Sequence, residues 1–363
     1  MLTKWKAAVL MVLLCAILGC APPESSGQSN KAAPPSDAEA KLLQYVLSQQ
    51  LGEDGVYTNR LDTDQTAELA SGHEVLSESA GLLMRYYAKS GDREAFEHAW
   101  HLARRVFNQK SGFSYRYSPK LNKRYSVNAA VDDLRLIRAL YEAADVFGEK
   151  AYRAEADKFG GRLLMHNVKD HRLYDFYDEH YGMTNDFITL CYVDHFTLRQ
   201  VKEANKELRD GMLDLVQRGY LSDEFPLYES RYRYGTGQYE SDGGIQTVES
   251  LLTVLSLAEI GQQKPASVAY VKARVEEDTL FGRYTRRGEP LTDVRSTALY
   301  ALAALIGHEV GDGELYTASI RRMEAFQIQD PGSRLYGGFG DPATGQAYSF
   351  DNLMALLAYA ANR

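Results

Sequence analysis

The chain has 363 residues but only three cysteines. Cys15 and Cys20 sit in the first twenty residues and Cys191 stands alone in an apolar run, so no intramolecular disulfide is expected and stability has to come from packing. The eight histidines are scattered and no His-Glu-x-x-His occurs; no metal site and no cofactor are expected. A phosphate-cradling Gly-rich loop and a Gly-x-Ser-x-Gly nucleophile turn are both missing, which removes two common enzyme classes. Positive charge is in short supply as well. With 41 Lys and Arg against 49 Asp and Glu, the net charge is −8, and no nucleic-acid partner is expected. The long apolar run from Ala7 to Leu18 is too short to span a bilayer.

What is present begins with that run. Lys4 and Lys6 precede it and Gly19-Cys20 follows, the layout of a secretory signal. Ala16-Ile17-Leu18-Gly19-Cys20 resembles the lipobox of bacterial lipoproteins. The resemblance implies cleavage before Cys20, lipid on its thiol and amino group, and anchoring at the extracellular face of the cell membrane. Residues 21–37 are rich in Pro, Ser, Gly and Gln and read as a flexible tether. Residues 38–363 then form a single domain, expected to be a monomer.

Within that domain six acids recur at intervals of 51 to 58 residues, each opening an apolar helix-like run: Glu78, Asp133, Asp186, Asp242, Asp293 and Asp351. Each run meets a short turn, commonly with Gly (Gly91, Gly148, Gly261, Gly311), and a more amphipathic helix follows. The last inner helix, 352–362, lacks an outer partner, and the helix over 38–50 is unpaired. Pairing these two closes a ring. The expectation is an all-α (α/α)6 toroid of six helical hairpins, its acidic helix starts and Tyr-rich loops gathered at one mouth. Tyrosine offers a sugar both an apolar face and a hydroxyl.

Asp at a helix start is commonly a cap, and that explanation covers Asp186, Asp293 and Asp351. Two acids stand apart. Ser77 precedes Glu78 and is the better cap, which leaves Glu78 free; Asp242 precedes Gly243-Gly244, where backbone can approach a ligand. The pair Asp194-His195 lies in an apolar run and reads as core.

Glu78 within Ser77-Glu78-Ser79-Ala80-Gly81-Leu82-Leu83, followed by Gly91-Asp92-Arg93-Glu94-Ala95-Phe96 and Trp100, resembles the acid-bearing segment of glycoside hydrolase family 8. The likeness extends to Asp132-Asp133-Leu134-Arg135-Leu136, to Asp242, and to Tyr348-Ser349-Phe350-Asp351-Asn352-Leu353. Two positions depart: Gln246 stands where that family commonly has Arg, and Arg135 where it has a second sugar-binding Asp. The resemblance implies an inverting, endo-acting hydrolase of a polysaccharide, closest to lipoprotein members associated with exopolysaccharide. Glu78 would be the acid and Asp242 the base, with Asp132, Asp133, Tyr181, Asp186, Tyr239 and Tyr284 contacting substrate. Glu78 must hold a proton, which nearby carboxylates such as Asp133 would favour. A lyase or epimerase on the same toroid, or a non-catalytic glycan-binding lipoprotein of polysaccharide export, are the alternatives.

Overall fold

The computed structural model describes residues 34–66 and 69–362. The signal segment and most of the tether, with Cys15 and the expected lipidation site Cys20, lie outside the described residues.

Twelve α-helices make up about half of what is described. In chain order they are α1 (Asp37–Tyr45), α2 (Ser77–Ser90), α3 (Arg93–Phe107), α4 (Ala130–Phe147), α5 (Lys150–Asn167) and α6 (His195–Gln200). Then come α7 (Lys206–Arg218), α8 (Thr247–Ala258), α9 (Pro265–Glu276), α10 (Thr297–Glu309), α11 (Gly313–Glu324) and α12 (Ser349–Ala360). A π-helical turn, Val46–Gln50, prolongs α1. Two- and three-stranded antiparallel sheets fill the connections.

Two kinds of helix alternate, as the sequence pattern requires. In α10 every residue from Thr297 to Gly307 is buried, and α4 and α12 are nearly as enclosed. A helix apolar all round has to sit inside. By contrast, α3 buries only the stripe Phe96, Trp100, Ala103, Val106 and Phe107 and leaves its charges in water. Gly91 and Gly148 end α2 and α4 in the left-handed conformation that glycine adopts without a Cβ clash.

The enclosed helices touch in sequence. α2 packs on α4; α4 meets α6 and the 3-10 turn Leu190–Tyr192; these meet α8; α8 packs on α10, α10 on α12, and α12 on α2. Ser79 and Ser349 hydrogen-bond at 3.0 Å across the last of these contacts, deep in the core. α1 packs on α12, and Gln50 donates to the Ala347 carbonyl at 3.0 Å, so the two ends of the domain are tied together. At the α2–α4 crossing, Gly81 lets the helices close up: a Cβ there would stand 2.9 Å from the Arg135 Cβ.

The third unit departs from the expected hairpin. The run from Asp186 does not start a helix. Phe187–Thr189 is a strand paired with Arg231–Arg233, and the helix begins only at His195, capped by Asp194. Aromatic and β-branched residues at 187–189 suit a pleated strand. Asp194 also lies 3.6 Å from Arg138, a buried cation that bonds Glu142 at 3.0 Å and Glu259 at 2.7 Å. His195 is buried, and burial lowers it to about 4, so it is neutral. The core reading of Asp194-His195 matches this geometry.

Candidate active site

The first turns of α2, α4, α8 and α12 and the turn Leu190–Tyr192 surround one cavity of about 340 Å³. Leu76, Tyr115, Val131, Tyr192, Val248, Leu252 and Phe350 provide apolar and aromatic wall; Glu78, Asp132, Arg135 and Glu249 provide charge. Several helix N-termini therefore point their free N–H groups toward one end of the helix array.

Glu78 and Asp132 are brought together by a residue that the sequence reading treated only as a departure. Arg135 Nη1 donates to Glu78 Oε2 at 3.0 Å and to Asp132 Oδ1 at 2.8 Å. Two carboxylates thus share one guanidinium nitrogen. Burial pushes Asp132 up to about 7; Arg135 opposes this, and Glu78 adds to it. Glu78 contributes more than Asp132 to holding the charge on Arg135. Asp132 therefore titrates near neutral pH, held through one guanidinium to Glu78. Ser77 does not cap α2. Leu76 occupies that position without a side-chain bond, and Ser77 Oγ donates to Asp132 Oδ2 at 3.3 Å.

The acid held beside Glu78 is Asp132, not Asp133. Asp133 is 1 % exposed and accepts hydrogen bonds from the Phe113 N–H at 3.1 Å and from Asn128 at 2.8 Å. Such a group ties a loop to α4 and has no face left for a glycan. Tyr284 is likewise buried at 2 % exposure, donating to the Thr279 carbonyl and accepting from the Phe281 N–H. The Tyr239 hydroxyl is used by the Leu215 carbonyl at 2.6 Å. Asp133 and Tyr284 are buried in packing the small hairpins onto the helices, and Tyr239 is half-buried with its hydroxyl committed. Tyr181 is 72 % exposed beside the hairpin of Tyr177–Asp178 and Met183–Thr184, and Asp186 is an exposed partner of Arg233 at 3.1 Å. Neither lines the cavity.

Asp242 does not line it either. The α8 helix starts five residues later than Asp242, at Thr247, because Ile245–Gln246 pairs as a strand with Arg283–Tyr284. Asp242 is left in a turn with its side chain 82 % exposed and its carboxylate 3.7 Å from Arg231. The acid that α8 does place in the cavity wall is Glu249, which the sequence reading passed over. Its one signal was its position in the first turn of an apolar helix.

Asp293 is exposed, and Ser296 caps α10 in its place. Asp351 accepts the N–H of Ala298 at 2.9 Å, so it serves the start of the neighbouring α10 and not of its own helix. It lines a second cavity of about 400 Å³, with Ser296, Thr297 and the exposed Tyr348. Cys191 lines the first cavity, where burial and the nearby Glu249 push its thiol up. Among the described residues no group of three or more His, Cys, Asp or Glu side chains is placed to hold a metal ion.

No protein-family model matches the chain. YdaJ of Bacillus subtilis (strain 168), a protein named as a lipoprotein, is 27 % identical over 349 residues, covering 94 % of this chain and 92 % of that protein. A structure described as an alpha-amylase from Clostridium perfringens superposes with a TM-score of 0.83 at 28 % identity, over 90 % of this chain and 97 % of that one. Endoglucanase Cel10 from Klebsiella pneumoniae, described as a family 8 glycosyl hydrolase, superposes with a TM-score of 0.59 at 18 % identity, over 89 % of this chain and 100 % of that one. The chain thus carries a divergent glycoside hydrolase family 8-like fold.

Proposed function

We propose that this protein is a glycoside hydrolase acting on a polysaccharide, and that its helices form a closed (α/α)6 toroid with the active site at the helix-start end. The observation that carries the reading is the Glu78–Arg135–Asp132 cluster on the wall of the cavity into which several helix starts converge. Glycoside hydrolysis needs a carboxylic acid beside the leaving oxygen, and two carboxyl groups held on one guanidinium in the cavity wall offer that group. Glu78 is the member we assign to the leaving oxygen, since its side chain is 24 % exposed and that of Asp132 only 8 %.

An inverting mechanism places acid and base about 6.5–9.5 Å apart with water between them. Glu78 and Asp132 sit too close for that, since both contact the same nitrogen. In an inverting reaction the base therefore comes from another wall. A lyase is less well supported: it needs a Tyr or His base, and Tyr192, one of the two cavity tyrosines, has its phenol pushed well up by burial and by Cys191 and Asp132. The lipobox resemblance and the lipoprotein relative support anchoring outside the cell, where an exopolysaccharide would be met. No helix among the described residues is long and apolar enough to cross a membrane.

The test is release of reducing ends from α- and β-linked glucans and from bacterial exopolysaccharide by the purified domain, beside Glu78→Gln. Turnover by the wild type that falls by roughly 10²-fold or more in the variant is the expected result. Unchanged turnover in Glu78→Gln would remove Glu78 from the chemistry. Binding without turnover in the wild type would favour a glycan-binding role.

A further inference from the structure

The geometry points to Glu249 as the group that activates water, opposite Glu78. This rests on the glycosidase reading above and adds to it the residue that completes the chemistry. In the contact order α2, α4, α6, α8, α10, α12, the helix α8 stands three places from α2 in either direction. Glu78 and Glu249 both lie in the first turns of these helices and both line the same cavity. A bond held between them would be reached from two sides.

The state of the Glu249 carboxylate is the second observation. Its Oε2 is buried without a hydrogen-bond partner, and neither oxygen has an ion pair among the described residues. Every other charged group on this wall is used: Glu78 and Asp132 hold Arg135. A buried carboxylate oxygen left unpaired costs on the order of a few kcal/mol. The positive end of α8 offsets part of that, on the order of 0.3–1 kcal/mol, but it would do so equally for an exposed side chain. A structural role does not account for the burial, since Glu249 caps nothing and bridges nothing. Val248 and Leu252 flank it on the cavity wall, and Thr253, one turn on, spends its hydroxyl on the Glu249 backbone carbonyl at 3.0 Å. Water or a sugar hydroxyl is the missing partner.

The step balances without further reactants. The Glu249 carboxylate takes a proton from a water whose oxygen forms a bond to the anomeric carbon. The bond from that carbon to the glycosidic oxygen breaks, and the departing oxygen takes the proton of the Glu78 carboxylic acid. Solvent then returns a proton to Glu78 and removes one from Glu249.

The experiment compares wild type, Glu249→Gln, Glu78→Gln and Asp242→Asn on whichever polysaccharide of the panel the wild type cleaves, with and without added sodium azide or formate. Glu249→Gln should lose roughly 10²–10⁴-fold in kcat. It should keep its melting temperature or gain, and recover turnover with the small anion, whereas Glu78→Gln should not. Wild-type kcat in Glu249→Gln beside an inactive Glu78→Gln overturns the assignment and leaves the glycosidase reading standing. Loss confined to Asp242→Asn returns the base to the exposed turn and also overturns it. A Glu249→Gln protein that melts more than about 5 °C lower overturns it too, because an unpaired carboxylate has no native bond to lose. No hydrolysis by the wild type on any substrate sinks the glycosidase reading and this inference together.

Discussion

Asp132 allows the electrostatics of the cavity to be tested without any knowledge of the substrate. In the folded protein burial lifts its carboxyl from the ordinary 3.8 to about 7. The folded value lies above the unfolded one, so between the two the folded state binds more protons than the unfolded state. Stability therefore falls as pH rises from about 4 through 7. Three units at about 1.4 kcal/mol each come to on the order of 4 kcal/mol. Asp132→Asn cannot ionise and escapes that loss. It does give up the 2.8 Å contact with Arg135, but Arg135 keeps Glu78. The difference in unfolding free energy between variant and wild type should move in favour of the variant by this amount between pH 4 and pH 8. Urea denaturation at four or five pH values measures it, and taking the difference cancels every group the two proteins share. Parallel stability curves would refute the argument, for they would mean that Asp132 ionises in the fold as it does in water.

Other expectations follow from the same contacts. Arg116 and Glu74 are both fully buried and joined by two bonds of 2.7 Å, tying the loop before Glu78 to the strand that pairs with Val75–Leu76, so Glu74→Gln removes the negative charge beside a buried guanidinium. A loss of roughly 3–5 kcal/mol and a melting temperature lower by about 10 °C are expected by calorimetry. Gly81→Ala sets a Cβ 2.9 Å from the Arg135 Cβ and 3.3 Å from its carbonyl carbon. Overpacking of about 1–3 kcal/mol should outweigh the roughly 1 kcal/mol helix-propensity gain and lower kcat by shifting Arg135, as thermal melts and reducing-end release would show. Glu142 is pulled the other way: burial opposes its charge, but Arg85, Arg138 and Lys89 prevail and hold it at about 2. Its folded value lies below the unfolded 4.5, so this contribution is present above that pH and disappears as pH falls toward 2. Glu142→Gln should flatten the acid limb of the stability curve.

The helices were readable because their information is local. Periodic apolar positions mark α2 to α5 and α8 to α12 to within a few residues at most ends, and Gly91 and Gly148 mark where two of them stop. The exception, residues 186–200, fails for a local reason as well. An apolar run with β-branched and aromatic residues suits strand or helix, and pairing with Arg231–Arg233, more than forty residues later, made the choice. Likewise Asp242 was read as a helix start because it precedes an apolar run at the recurring interval, whereas Ile245–Gln246 first pairs with Arg283–Tyr284.

Sequence alone therefore determined the sixfold recurrence, the inner and outer character of the helices, and Glu78 as the acid to watch. The chemistry of the other acids was decided in three dimensions. Asp132 and Asp133 are adjacent in the chain but about 100° apart around α4, so one faces the cavity and the other faces Asn128. Arg135, at a position where the family resemblance led one to expect an acid, becomes the link between Glu78 and Asp132 only because Gly81 lets α2 lie close against α4. A carboxylate takes its role from the charges and dipoles within a few ångströms, and those neighbours came from segments more than fifty residues apart.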